Sequence, residues 1–383
     1  MNRVILHHAA LPHRGGAVRV ARLLLEAQHQ AGPMEATLDA RLSFEVAEND
    51  PEALDGHAAQ SIPPSGPTPP GELGLHLKAL PQDAALHLHT STDWRALLEG
   101  LLPHADARRV LLTLHDATPL TGGCAYPLDC PHFPACAEPC PRQFPEARAR
   151  QAEVAEMLRS LNPQFASPSR WLAGLARQAL PDLPVRVIPN GVPWPSTARM
   201  PSRHQARAAL GIAPTARVVL FAAHGGARAA YKAGPRWPEY WQGLRQGLPQ
   251  ALGFAVGGDE AASQNGLTTW PYVDRQRLTL LMRAADLLAY PTLADNHPLV
   301  LLEAAALGLP VLSYAVGGVK EIVMSGETGL LVAPGDMDTF CLAARALLSD
   351  PALCRRLGQT AQTRGAKRFN AARMAADYAA LLG

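Results

Sequence analysis

Residues 291–318 read PTLADNHPLVLLEAAALGLPVLSYAVGG, and the division of this stretch into elements decides the fold. Asp295 and Asn296 occupy helix-capping positions, Leu299 to Leu307 recur at helical period, and Gly308 with Pro310 stops the helix. Val311 to Val316 then reads as a buried strand that ends at Gly317 and Gly318. A helix and strand this apolar form one αβ pair of an α/β domain. Apolar packing leaves two residues unexplained, Asp295 and Glu303, which bracket the helix start. The free N–H groups of a helix start form an anion site, and a carboxylate on an apolar helix face is costly unless it is paired or binds hydroxyls.

Outward from this stretch, the same strand, turn and helix pattern recurs along the chain. Val4 to Leu6 is a short strand that runs into His7, His8 and a loop with Gly15 and Gly16, and Val18 to Gln28 follows at helical period. A doubly wound domain begins this way, with its glycine turn at the carboxyl edge of the sheet where ligands sit. Leu86 to His89 and Arg109 to Leu114 are further strands, and the second delivers His115 and Asp116 to that edge. Glu35 to Glu72 shows no regular period, and SIPPSGPTPPG at 61–71 reads as a solvent loop. Val185 to Ile188 leads into a proline-rich linker, after which helix Arg203 to Leu210 and strand Arg217 to Ala222 start a second domain. Its first loop, AHGGARAAYKAG, offers Arg228 and Lys232 where a departing phosphate would need positive charge. The expected division is 1–188, a linker at 189–201, 202–365, and a last helix from 366 to 383.

Composition excludes several classes. The 383 residues suffice for two α/β domains, and a formal net charge of +2 without a basic stripe argues against nucleic acid as the main partner. The first twenty residues are too polar for a secretory leader, and Glu303 and Pro310 break the most apolar run, so a cytoplasmic protein is expected. Cys124, Cys130, Cys136 and Cys140 crowd one Pro- and Gly-rich loop, TGGCAYPLDCPHFPACAEPCP. A loop with no core of its own needs a staple, and structural zinc, two disulfides and free thiols all stay open.

The stretch at 291–318 resembles the acidic signature of family-4 retaining glycosyltransferases with the GT-B fold. That signature has a pair of glutamates eight apart, then G-x-P-V, a Gly-Gly turn and an acid. Here Glu303 is the second glutamate, Gly308 to Val311 is the G-x-P-V, Gly317 and Gly318 are the turn, and Glu321 is the acid. Asp295 replaces the first glutamate within Asp-Asn-His-Pro, similar to an Asp-Asn-x-Pro subset of the family that often carries a cysteine cluster after Thr-Gly. The Ile-Pro-Asn-Gly-Val at 188–192 resembles the family's crossover between domains, and His115-Asp116 its His-Asp.

The resemblance implies two Rossmann-like doubly wound domains facing across a cleft, a nucleotide-sugar donor (a UDP- or GDP-sugar) on the second, and an acceptor on the first. Glu303 would hold the ribose hydroxyls and Asp295 a sugar hydroxyl. Lys232, Arg228 and the helix start at Asn296, His297, Leu299 and Val300 would hold the diphosphate. The backbone near Val273 would read the base, Gly15 and Gly16 would face the phosphates, and His115 would contact the donor sugar. His115, Lys232 and Asp295 are the candidate catalytic residues. The implied reaction is metal-independent, retaining hexosyl transfer to a glycan or lipid-linked acceptor in surface polysaccharide synthesis. It would take place in the cytoplasm or at the inner membrane face, with peripheral membrane contact. Ala233 replaces the family's glycine after the lysine, and the family's upstream arginine is not clearly matched, with Arg228 a candidate substitute. Asp295 and that arginine keep an inactive reading open, and two other readings stand beside the transferase. One is an inactive nucleotide-sugar-binding protein, and the other is a nucleotide-sugar epimerase on the same fold.

Overall fold

The structure is a computed structural model that describes residues 4–11, 15–30, 39–45, 68–78, 80–105, 108–195, 200–222, 230–257 and 261–382. Short runs rich in Val, Leu and Ala become parallel strands because both their faces are covered. In the first unit these are β1 (Val4–Ala9), β2 (Asp39–Phe44), β3 (Ala85–Leu88), β4 (Val110–Thr113), β5 (Gln164–Ser167) and β6 (Val185–Val187). They pair in parallel in the order β2-β1-β3-β4-β5-β6. The chain reverses its direction of travel between β1 and β3, which opens the ligand crevice of a doubly wound sheet at their carboxyl ends. Leu88, Leu97, Leu112, Phe165 and Leu172 fill the core on one side of this sheet.

The second unit repeats the plan with β7 (Val218–Ala222), β8 (Leu252–Val256), β9 (Ala262–Gln264), β10 (Leu267–Trp270), β11 (Leu287–Tyr290), β12 (Val311–Tyr314) and β13 (Gly329–Val332). The order is β13-β12-β11-β7-β8-β10-β9, parallel except for the β9–β10 pair. Here the reversal falls between β7 and β11. Helix Leu299–Ala306 links β11 to β12 and ends where Gly308 takes a φ of +70°, a conformation that needs glycine.

The first unit comprises the chain through Asn190 together with Ala371 onward, and the second spans Gly191–Asn370. The second unit runs past 365 because helix Pro351–Arg368 packs against helix Leu299–Ala306. A Cβ at Gly358 would lie 2.0 Å from the Gly308 carbonyl oxygen, so the two backbones touch at that point. The last helix, Ala371–Leu382, belongs to the first unit, where the Thr113 hydroxyl donates to Tyr378 and Arg109 donates to the Leu382 carbonyl.

Three segments depart from the sequence reading. β1 continues through His7 and His8, both fully buried, because side-chain hydrogen bonds satisfy the two imidazoles. β2 forms within the span that showed no period. It is an edge strand of mixed polarity, so its pairing with β1 supplies what its sequence does not. The proline-rich segment ends in a short 3₁₀ turn at Pro70–Glu72 and helix Leu73–Leu77, while residues 61–67 of that loop lie outside the described residues.

Glu45 follows β2 with its carboxylate buried. It accepts from Thr92 and lies 3.1 Å from Nε2 of His8. Burial alone would raise its pKa, but hydrogen bonds from His8, Ser91 and Thr92 hold it below the usual carboxylate value of 4.5. A folded-state pKa below the unfolded one contributes stability that is complete above the unfolded value and lost as pH falls through the folded value. Acid unfolding of Glu45→Gln, followed by circular dichroism, is therefore expected to show a shallower loss of stability below about pH 4.5 than the parent protein.

Candidate functional site

In the second unit the residues of interest gather where the strand order reverses. Lys232 ends the 3₁₀ turn Ala230–Lys232 after β7, and Asp295 lies in the segment after β11, the neighbouring strand. Lys232 Nζ is 3.3 Å from Asp295 Oδ2, and both side chains are largely buried. The Tyr290 hydroxyl donates to the same oxygen at 2.6 Å, and Oδ1 accepts the Asn296 N–H at 2.9 Å. The Asp295 carbonyl accepts the Gly318 N–H at 3.1 Å, which ties this segment to the Gly-Gly turn after β12. Burial opposes the charge on Lys232, yet Asp295 and Tyr231 outweigh it and hold the ammonium above its ordinary pKa. Lys232 thus stays protonated as the buried partner of the Asp295 carboxylate.

The capping expectation is corrected. Asp295 and Asn296 do not occupy the cap position; Pro298 is the helix N-cap and makes no side-chain cap hydrogen bond. Asp295 instead spends its oxygens on Lys232, Tyr290 and the Asn296 amide. An uncapped helix start exposes N–H groups and the positive end of the helix dipole. Asn296 and His297 are buried just before it, and the His297 ring meets Phe369 edge-on at 5.6 Å. Leu299 and Val300, half-buried, form its first turn.

Glu303 lies on that helix, partly exposed, with Arg275 Nη2 at 3.8 Å from its carboxylate. Arg275 is itself half-exposed, so this ion pair is weak. Asp274 caps helix Arg275–Ala284 by accepting the Arg277 N–H at 2.6 Å, and Val273 packs partly buried just before it. Val273 thereby stands at the head of the helix whose Arg275 reaches Glu303. Arg228, together with Ala223 and His224, lies outside the described residues.

The first unit holds its own cluster. Gly15 has a φ of +107° and Gly16 opens helix Gly16–Gln30, and a Cβ at either would meet nothing within 4 Å. His115 does not stand alone after β4: its Nε2 is 3.0 Å from Nδ1 of His89, whose Nε2 is 3.0 Å from Nδ1 of His7. His7 Nε2 in turn meets Gln28 Oε1 at 3.0 Å. Burial pushes the His115 pKa down to about 3, and burial followed by repulsion among the imidazoles holds His87 and His89 well below the usual histidine value. These rings are neutral at physiological pH. Asp116 turns away from this chain of rings and accepts the N–H and hydroxyl of Thr118.

The sequence reading ended β1 at Leu6, just before His7 and His8, and did not single out His87. The available signal was their spacing: strand alternation puts His87 and His89 on one face, next to the register partner His7. Cys124, Cys130, Cys136 and Cys140 are all free thiols. Burial pushes the Cys124 thiol up to about 11; Arg142 opposes the rise, and Cys140, Cys136 and Cys130 add to it. Among the described residues, the side chains that converge at metal-ligand spacing are His7, His87 and His89, and the four cysteines do not.

Comparison with known proteins adds three findings. Residues 260–364 match the family described as glycosyl transferases group 1. The D-inositol 3-phosphate glycosyltransferase of Mycobacterium avium (strain 104) is 41% identical over 106 residues, 28% of this chain and 25% of the relative. Glycogen synthase of Mycobacterium tuberculosis is 37% identical over 93 residues, 24% of this chain and 22% of the relative. The chain therefore spans about a quarter of the length of these curated relatives.

Among solved structures, sucrose-phosphate synthase from Thermosynechococcus elongatus aligns with a TM-score of 0.72 at 21% identity, covering 99% of this chain and 98% of that one. The Anabaena protein HepE, solved with UDP and glucose, aligns with a TM-score of 0.72 at 18% identity, over 100% and 99% of the two chains. The fold is GT-B, two Rossmann-like α/β units in one chain. Among the described residues, no helix is long and apolar enough to cross a membrane.

Proposed function

We propose that the chain is a glycosyltransferase that takes a hexose from a nucleoside-diphosphate sugar, UDP- or GDP-linked, and transfers it to a glycan or lipid-linked acceptor with retention of configuration. The observation that carries this reading is the Lys232–Asp295 pair at the β7/β11 reversal, followed directly by an uncapped helix start and Glu303. A charged ammonium beside the N–H groups of a helix start suits a diphosphate, and a partly exposed carboxylate one turn into the helix suits ribose hydroxyls. This helix lies within the segment matched by the group 1 family.

In this reading the diphosphate leaves toward Lys232 and the helix start, where negative charge develops in the transition state. Arg228 would add to that charge, and His115 with Gly15 and Gly16 would serve the donor from the first unit. No carboxylate nucleophile is assigned. The departing phosphate would take the acceptor's proton, which removes the need for the close carboxylate pair of retaining hydrolases. Surface polysaccharide assembly, with peripheral contact to the inner membrane face, is the proposed setting. The four loop cysteines, which do not converge at metal-ligand spacing, are assigned no part in the chemistry.

Glu303→Ala tests the donor assignment. The carboxylate would contribute charge-assisted hydrogen bonds of about 1.5–3 kcal/mol to the ribose, so the variant is expected to bind its nucleotide at least tenfold more weakly by calorimetry while its melting curve stays close to the parent's. Unchanged affinity would remove Glu303 from the donor site.

A further inference from the structure

We propose that His7, His87 and His89 form a binding site for a divalent transition metal of the zinc class, at the carboxyl end of the first unit's sheet where β1 and β3 part. His7 and His87 are register partners on adjacent parallel strands, and His89 follows two residues later on the same face. All three are buried, and one nitrogen from each lies within 4.8 Å of the others. A set of three histidines is the donor set of many zinc centres, which leave a fourth position for water or another ligand.

The outer nitrogens are already engaged as metal-binding histidines require. His87 Nε2 is 2.7 Å from Thr113 Oγ1, and the Thr113 hydroxyl donates onward to Tyr378 at 3.0 Å. Thr113 must then accept from His87, which makes His87 the Nε2–H tautomer and leaves a lone pair on Nδ1. That Nδ1 is buried and has no hydrogen-bond partner, a costly arrangement that an ion would relieve. Gln28 Oε1 accepts from His7 Nε2, so His7 Nδ1 also carries a lone pair. His7 Nδ1 and His89 Nε2 are 3.0 Å apart. Two nitrogens on one tetrahedral zinc, each at 2.0–2.1 Å, stand roughly 3.3 Å apart. The spacing already suits ligation, which asks the two rings to turn from facing each other toward a common point, and the His87 ring closes the set.

Occupancy would reach His115. Without an ion, His89 Nε2–H donates to His7 and His115 Nε2–H donates to His89. With an ion on its Nε2, His89 carries its proton on Nδ1 and donates to His115, which then carries its own on Nδ1. Every ring stays neutral and no proton is released. The metal would thus set whether His115 offers a donor or an acceptor at its outer nitrogen, independently of the function proposed above.

The test titrates chelator-stripped full-length protein with Co²⁺ and then displaces it with Zn²⁺. Expected is one equivalent of Co²⁺ with the visible bands of a four-coordinate nitrogen site and no thiolate-to-metal charge transfer, lost in His87→Ala. Thr113→Val removes the acceptor behind His87 together with the hydroxyl that donates to Tyr378, and it is expected to bind the metal 10–100-fold more weakly with its fold intact by circular dichroism. The proposal fails if folded protein takes up no metal. It also fails if the bound metal shows only thiolate charge transfer from the cysteine loop, or if Thr113→Val binds as tightly as the parent.

Discussion

Lys232→Ala is expected to lower turnover by about two to three orders of magnitude, the loss seen when a preorganised donor to a developing negative charge is removed. Lys232 is nearly dry and its ammonium is held above its ordinary pKa, so its field acts in a medium where charge is poorly screened. The loss should fall mainly on kcat, because the charge on the leaving diphosphate grows as the sugar bond breaks. A change confined to KM would mean that Lys232 only binds the donor. Asp295 keeps its bonds from Tyr290 and the Asn296 amide in this variant, so the fold should survive. Lys232→Arg should not restore the rate, since a planar guanidinium does not replace a compact, largely buried ammonium 3.3 Å from the Asp295 carboxylate.

Asp295→Ala is expected to cost stability as well as activity. Removing one partner of a buried ion pair leaves the other charge uncompensated, a loss on the order of 3 kcal/mol. Here the variant strands the Lys232 ammonium and the Tyr290 hydroxyl together. Denaturant unfolding, followed through the tryptophans of the second unit, measures the effect. Lys232→Met combined with Asp295→Leu should recover most of the lost stability while remaining inactive, because replacing both members of a buried pair by apolar side chains is often near neutral. If Asp295→Ala alone were as stable as the parent, the pair would not be the organising interaction of this site.

Much of this arrangement could be read from the residues. β11 and β12 each bury two faces and so appear as apolar runs, interrupted in β12 by Ser313, and the turn at Gly308 announces itself through glycine followed by proline. Lys232 and Asp295 were visible as individual candidates, but their contact was not. It depends on β7 and β11 being neighbours although β8, β9 and β10 intervene in the chain. The helix cap was misplaced because Asp295 and Asn296 have capping chemistry, and only the fold shows that Asp295 is already engaged by Lys232 and Tyr290. The β9–β10 hairpin was missed although Asn265-Gly266, both at positive φ, is a strong hairpin signal. His87 was overlooked for a different reason: a histidine inside a strand looks like an interruption until its neighbours across the sheet are known.

The proposed function requires a nucleotide-diphosphate site in the second unit. The measurement that tests it most directly is thermal unfolding of the parent protein against UDP, GDP, ADP and CMP, with their common sugar conjugates. A ligand that binds only the folded state adds about 2.7 kcal/mol at a hundredfold its dissociation constant. One uridine or guanosine diphosphate, together with one of its sugars, is expected to raise the transition well above the others. Folded protein whose transition none of these ligands moves would contradict the account.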